Sequence, residues 1–532
     1  MKIKMPPFRP LPTLIGVFFF LDLLLNFDYP ANHLFSWRLL LPSMDVWLLL
    51  LLLAMAAWWG RRPVFWTGLT VWAFFLVLRL YRIGETIVPM YFNRPFTLYI
   101  DSGYLFDLYD LLKTSAQKGD FLQLAVIALT VTIGVIASSG VALRAAAKAF
   151  SNNRVRNPFL GVSVIALGVA LTIKAGGPKP PVMMRLGREI LSIRDQQLKE
   201  QVFLTKLKQI AQKRSIGPAP LKGLKGADVL LFLVESYGRT VFFRPRYRKA
   251  MEATMSNFAK ILKQHGFKAV SSYLVSPTYG GSSWLAHATL ESGLRVKNNL
   301  EDAALLHSSL PPLATYFRKS GYRTVSVMPG TRFPFPQGAY FDYKQVYYAP
   351  NFDYRGPTFG WAPMSDQFVL DWVRRHEFTR HNRSIFVRYV LISTHAAFNI
   401  QPTFVADWNL IGDGSIYSHI PSVHYPIYWP DLTNAGDAYL RSLDYEFTTI
   451  GDYLARYVDP HALILIVGDH QPNLQLTDVN EPWSVPIHVI SGDSHLLEPF
   501  CKRGYTPGLI PDKPPPHAGM ETFLPGFLQD FK

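Results

Sequence analysis

Five long apolar stretches, all before residue 177, constrain this 532-residue chain more than any other feature. They lie near residues 12–28, 46–60, 63–82, 121–142 and 157–176. Each approaches the ~20 apolar residues that a helix needs to cross a hydrocarbon core of ~30 Å. Buried helices of a soluble protein are the alternative reading. The second stretch, with Trp47 followed by leucine from Leu48 to Leu53, is short and crosses with little tilt or borrows from its flanks.

Lysine and arginine placement orients the stretches, because cytoplasmic connections carry the excess of positive charge. Lys2, Lys4 and Arg9 precede the first; Arg61 and Arg62 fill the second connection; Arg144, Lys148, Arg154 and Arg156 fill the fourth. The first and third connections then face outward, and the third carries Asp101, Asp107 and Asp110. An odd number of spans puts everything after about residue 177 outside the cytoplasm. The basic, apolar start shows no small-residue cleavage site before Asp28-Tyr29-Pro30, so it reads as a retained anchor. Tyr104 to Tyr109 alternates aromatics with acids, as either an interfacial amphipathic segment or a plain loop.

The formal net charge of +16 does not point to nucleic acid, because the cations flank the apolar stretches or follow them. Anionic lipid head groups are the simpler partner, and no nucleic-acid partner is expected. Cys501 is the single cysteine, which excludes an intrachain disulfide and a thiolate metal site. The expected organisation is a transmembrane domain at 1–176, a juxtamembrane linker with a charged helix at 177–226, and an α/β domain at 227–532.

In that last part apolar β-type runs alternate with helical patterns, the signature of a sheet covered by helices on both faces. Strands are expected at Val229–Val234, Ala269–Val275, Thr324–Met328, Ser384–Ile392, Leu463–Val467 and Val485–Ile490. Helices are expected at 251–265, 284–292, 311–320, 365–377 and 435–457. Chemistry in such folds gathers at the carboxyl ends of the strands.

Four motifs fall there. Glu235 ends the first strand, as a cation ligand or as an acid that caps a helix or pairs with Arg239. Asp469-His470 ends a later strand, and an oxygen beside an imidazole nitrogen suits a divalent ion; a turn Asp with a surface His is the bland reading. Gly280-Gly281-Ser282-Ser283 precedes a helix. A hydroxyl there meets a phosphate held by backbone N–H groups, or simply caps the helix. Thr394-His395 follows a fourth strand and offers an imidazole for binding or proton donation, or simply a solvent-facing His.

Taken in order, these residues resemble the alkaline phosphatase superfamily in its sulfatase-like membrane branch. That branch holds lipoteichoic acid synthase, glucan phosphoglycerol transferases and phosphoethanolamine transferases. The resemblance covers residues 227 to 495 and extends to the five-span membrane half. It implies an α/β domain of the alkaline phosphatase type with a central mixed sheet, binding one divalent ion, Mn²⁺ or Zn²⁺, with Mg²⁺ as an alternative. It implies metal ligation by Glu235, Asp469, His470 and the nucleophile, and substrate binding by His395 and Arg332. The nucleophile is expected at Ser283, with Ser282 as the runner-up. A sulfatase would need Cys or Ser followed by x-Pro-x-Arg; neither serine has it, so sulfate ester hydrolysis is disfavoured.

The implied activity moves a phosphoglycerol or phosphoethanolamine head group from a membrane phospholipid, through a phosphoserine, to an envelope glycan or lipid. The implied location is a bacterial cytoplasmic membrane, multi-pass, with the catalytic domain periplasmic or extracellular. The rivals are a hydrolase of the same superfamily and a non-catalytic membrane protein in glycan export.

Overall fold

The computed structural model describes residues 9–28, 42–103, 118–172, 180–214, 220–333, 335–378, 383–427, 431–511 and 518–532. The segment Tyr104–Tyr109, with Asp107, Asp110, Lys2 and Lys4, lies outside the described residues. The chain divides into two compact units, Met1–Pro89 with Arg94–Gln197, and Met90–Asn93 with Leu198–Lys532.

In the first unit, helices occupy all five apolar stretches: α1 (Pro10–Asn26), α2 (Met44–Trp59), α3 (Arg61–Phe92), α4 (Lys118–Phe150) and α5 (Asn153–Thr172). Two of them, over Arg62–Phe92 and Val126–Phe150, are long and apolar enough to cross a membrane; α1 and α2 are shorter apolar helices. Leu21, Leu25, Leu50, Leu53, Phe75 and Phe150 form their common core. α3 continues past the apolar stretch that ends at 82 because the charges beyond are paired. Arg82 meets Asp28 at 3.2 Å, and Arg185 donates two bonds of 2.7 Å to Glu85. A further helix, α6 (Val182–Lys213), starts on Asp45, whose carboxylate accepts from the amides of Val182 and Met183 at 2.9 Å each. An anion at this end satisfies amides that have no partner within the helix.

The second unit is built on β1 (Val229–Val234), β2 (Lys268–Val275), β3 (Arg323–Met328), β4 (Gln345–Tyr348), β5 (Ile385–Leu391), β6 (Leu463–Gly468), β7 (Ser484–Ser491) and β8 (Thr506–Pro507). They form one mixed sheet in the order β8-β2-β7-β6-β1-β5-β3-β4. β6, β1, β5, β3 and β4 run parallel, while β7 pairs antiparallel with both β6 and β2. All six expected strands are present within a residue or so of their expected ends. β4 and β8 were not expected.

β1 is buried along its whole length, which is why it reads as an unbroken apolar run. Its side chains alternate between two cores. Leu230, Phe232 and Val234 pack with residues of α7 (Pro245–Gln264) and of a long helix over Gly436–Tyr457; Val229, Leu231 and Leu233 pack under α8 (Ser283–Ser292) and the C-terminal helix. α7 buries Tyr247, Met251, Met255, Phe258 and Leu262, one stripe at helical spacing. Helices on opposite faces leave the strand ends as the open edge of the sheet.

Candidate active site

Because β1 and β6 are parallel and pair Val234 with Gly468, the next residues on both strands, Glu235 and Asp469, emerge side by side. Ser236, in the left-handed region at φ +57°, turns its N–H toward Asp469 Oδ1 at 2.8 Å. The His470 amide donates to the same oxygen at 2.6 Å, and Ser276 Oγ donates to the Asp469 carbonyl at 2.6 Å. The carboxylate is thus oriented from the strand ends before any substrate arrives.

Ligand atoms of Glu235, Asp469 and His470 all lie within 4.8 Å of one another, and all three residues are buried. His470 Nδ1 faces the Gln471 carbonyl at 2.8 Å, an atom that only accepts, so Nδ1 carries the hydrogen. Nε2, the nitrogen whose lone pair a bound cation would meet, lies 3.1 Å from Glu235 Oε1 and 3.1 Å from Ser283 Oγ. Ser283 Oγ donates to Glu235 Oε2 at 2.7 Å. Gln471 ties the parts together, since its carbonyl also accepts from the Gly280 amide at 2.9 Å. Gly280 has φ +68°, and a Cβ there would strike the carbonyl oxygen of Tyr91. The turn needs glycine at that position for both reasons.

Of the two serines, the chain brings Ser283 to the cluster. It is the first residue of the ten-residue α8 and is half-buried. Ser282 is held at φ +61° as the N-cap, and its side chain makes no capping bond. The simple capping role weighed for this turn is therefore not what either hydroxyl does. Nor does Glu235 pair with Arg239, whose guanidinium stacks on Phe243 with its carbon 3.7 Å from the ring centre.

The electrostatics suit a cation. Burial works against the Glu235 charge, yet His470 and the Ser283 hydroxyl hold its carboxyl well below the usual carboxylate range. Burial pushes the Asp469 carboxyl up, and the charge of Glu235 adds to this. Burial opposes charge on His470 too, but Asp469 and Glu235 raise it to about 9. Without an ion the cluster takes up protons in its place, which is how a set of metal ligands behaves. Two carboxylates, an imidazole lone pair and a hydroxyl match the donor preferences of Mn²⁺ and Zn²⁺.

His287, four residues after Ser283 on α8, was missed by the sequence reading. Its Nε2 lies 4.0 Å from Asp469 Oδ2, buried and without a hydrogen-bond partner among the described residues. Burial, with the Arg388 charge nearby, pushes it down to about 3, so the ring is neutral. An unpaired polar atom aimed at the cluster is costly unless a ligand or water meets it.

His395 and Arg332 form a second group, joined by Trp361. The His395 ring stacks on Trp361 at 3.9 Å and 14°, and Arg332 Nη2 donates to the Trp361 carbonyl at 3.3 Å. Thr394 Oγ1 donates to the Glu235 carbonyl at 2.6 Å, which fixes this loop against the end of β1. His395 Nδ1 pairs with the Ala396 carbonyl at 2.6 Å, which orients the ring. Trp361 carries no periodic signal and could not have been singled out from sequence.

No protein-family model matches the chain, and no curated protein matches it in sequence. Among solved structures it is similar to the integral membrane lipooligosaccharide phosphoethanolamine transferase A of Neisseria meningitidis, at 11% identity and TM-score 0.45, over 97% of each chain. It is also similar to the Streptococcus pyogenes phosphoglycerol transferase in complex with sn-glycerol-1-phosphate, at 11% identity and TM-score 0.36, over 63% of this chain and 92% of that one. A lipoteichoic acid synthase of Listeria monocytogenes is similar at 10% identity and TM-score 0.37, over 54% of this chain and 71% of that one.

Proposed function

We propose that this protein transfers a phospholipid head group, phosphoglycerol or phosphoethanolamine, through a phosphoserine at Ser283 to an envelope glycan or lipid. The observation that carries this reading is the cluster of Glu235, Asp469 and His470, two of which, Glu235 and His470, reach the Ser283 hydroxyl. Glu235, Asp469, His470 and Ser283 would hold a divalent ion, which would supply Lewis acidity to lower the pKa of the hydroxyl and offset charge on the phosphate.

The residues do the rest. Glu235 orients the Ser283 proton, and the first turn of α8 directs its amides and positive dipole end toward a phosphate. The Ser283 oxygen bonds to phosphorus as the bond to the diacylglycerol oxygen breaks, and diacylglycerol leaves with a proton. The acceptor hydroxyl then displaces the serine and regenerates the site. His395 and Arg332, aligned through Trp361, hold the phosphate and the leaving oxygen. Five spans over residues 1–176 and a linker at 177–226 keep residues 227–532 on the outer face of the cytoplasmic membrane, near the lipid.

The test is intact-mass analysis of the full chain after incubation with phosphatidylglycerol or phosphatidylethanolamine and Mn²⁺, followed by peptide mapping. A head-group adduct on Ser283 is expected. Free head group released with no acceptor modified points instead to a hydrolase. No adduct and no turnover with any lipid leaves the non-catalytic reading standing.

A further inference from the structure

Helix α6 carries two apolar faces, and only one is covered by the described residues. Leu186, Phe203 and Leu207 are buried, as a helix packed against a core requires. On the other side Met184, Leu191, Leu198 and Val202 are exposed by 52%, 81%, 57% and 69%, with Ile190 beside them at 53%. Their spacing of seven, seven and four residues draws one continuous stripe along the helix. Such a run of exposed large side chains is not the scattered single residue that any surface tolerates.

Charge says what covers it. Arg188, Lys199, Lys206 and Lys213 line one edge of the stripe, and Arg194 and Lys208 the other. Among exposed positions of α6 the single acid is Asp195, which lies on the stripe four residues after Leu191, against these six cations. A second copy of the chain would set like charges against each other along both edges. An anionic bilayer surface meets the stripe and the cations together: acyl chains for the stripe, head groups for the cations, and aliphatic lysine and arginine stems to bridge the two.

We propose that α6 lies in the outer membrane interface, with Met184, Leu191, Leu198 and Val202 buried among the acyl chains beside anionic lipid. This rests on the proposed membrane location but not on the proposed chemistry. The helix would act as a float that fixes the height of its own apolar edge, ~5–10 Å below the head-group boundary.

Cys501 is exposed and is the single cysteine, so a Cys501→Ser background allows site-directed spin labelling of the full chain. Cysteines are placed singly at Leu191 and Leu198 on the stripe, at Gln197 on the polar side, and at Leu129 on α4 as a reference. Each labelled protein is reconstituted into vesicles of phosphatidylcholine and phosphatidylserine, and accessibility to oxygen and to a water-soluble nickel complex is read from power saturation. The oxygen-to-nickel ratio at 191 and 198 is expected to approach that at 129 and to exceed that at 197 about threefold or more. Ratios at 191 and 198 equal to that at 197 overturn the proposal, as does exclusion of both reagents, which means protein covers the stripe. Aqueous values at 129 as well bring down the membrane location itself, a failure distinct from that of the helix alone.

Discussion

Replacing Arg388 with methionine tests how α8 is held in place. Arg388 lies in the middle of β5 at 2% exposure, and Glu291, on α8, is fully buried. Arg388 Nη1 donates to Glu291 Oε1 at 2.5 Å, and Tyr343 donates to Oε2 at 2.7 Å. Removing one partner of a buried ion pair costs ~3–5 kcal/mol, because the other charge is left uncompensated. Tyr343 remains as one charge-assisted donor, worth ~1.5–3 kcal/mol, which places the cost at the low end, ~3 kcal/mol. At ~2–4 °C per kcal/mol, the Tm of the Arg388→Met protein should fall by ~6–12 °C. Removing both charges in Arg388→Met/Glu291→Met should recover most of that loss, since apolar replacement of a whole pair is near neutral. Tryptophan-fluorescence melts in detergent, with metal supplied equally, read both variants. Ser283, His287 and Glu291 recur every four residues on one face of α8, so the single variant should also lose activity out of proportion to the double. A Tm drop in the double variant as large as in the single would refute the buried-charge reasoning.

Two further outcomes are expected. Ser283→Ala should lower turnover by about 10⁴-fold or more, as loss of a nucleophile does, while Ser282→Ala keeps most of the activity; equal loss in both would mean the turn, not the hydroxyl, matters. Glu446 is buried, and burial together with the charge of Asp366 raises its carboxyl well above the usual carboxylate range. The folded protein therefore keeps a proton that the unfolded chain releases above pH ~4.5. Its contribution is fully present below that pH and is lost as pH rises toward the folded pKa, by up to about 1.4 kcal/mol per pH unit. Glu446→Gln should flatten the decline between melts at pH 5 and pH 7; an unchanged slope would show that Glu446 is not the group that titrates.

The strand ends were legible because parallel strands buried on both faces leave unbroken apolar runs, and acids directly after such runs have few structural excuses. Glu235 and Asp469 follow β1 and β6, and the register that makes them neighbours is a property of pairing, invisible along the chain. The choice between Ser282 and Ser283 turns on a left-handed backbone at 282 that no composition rule supplies. His287 was within reach, since its place four residues after Ser283 puts it on the same helical face. Arg388 also carried a signal, as a lone cation inside an apolar strand. Trp361 and β4 did not: one acts from an irregular loop, and the other is a short edge strand of Gln345-Val346-Tyr347-Tyr348. The extent of α3 was hidden because its last turns contain charges, paired only once the chain folds.

The most direct test is the divalent metal content of the full chain, purified without chelator and measured by elemental mass spectrometry. About one equivalent of Mn²⁺ or Zn²⁺ is expected for the unaltered protein, from the single donor cluster found among the described residues. Close to none is expected for Glu235→Gln/Asp469→Asn. Equal metal in both proteins, or head-group transfer by a protein stripped of divalent ions, would contradict a cation held beside Ser283.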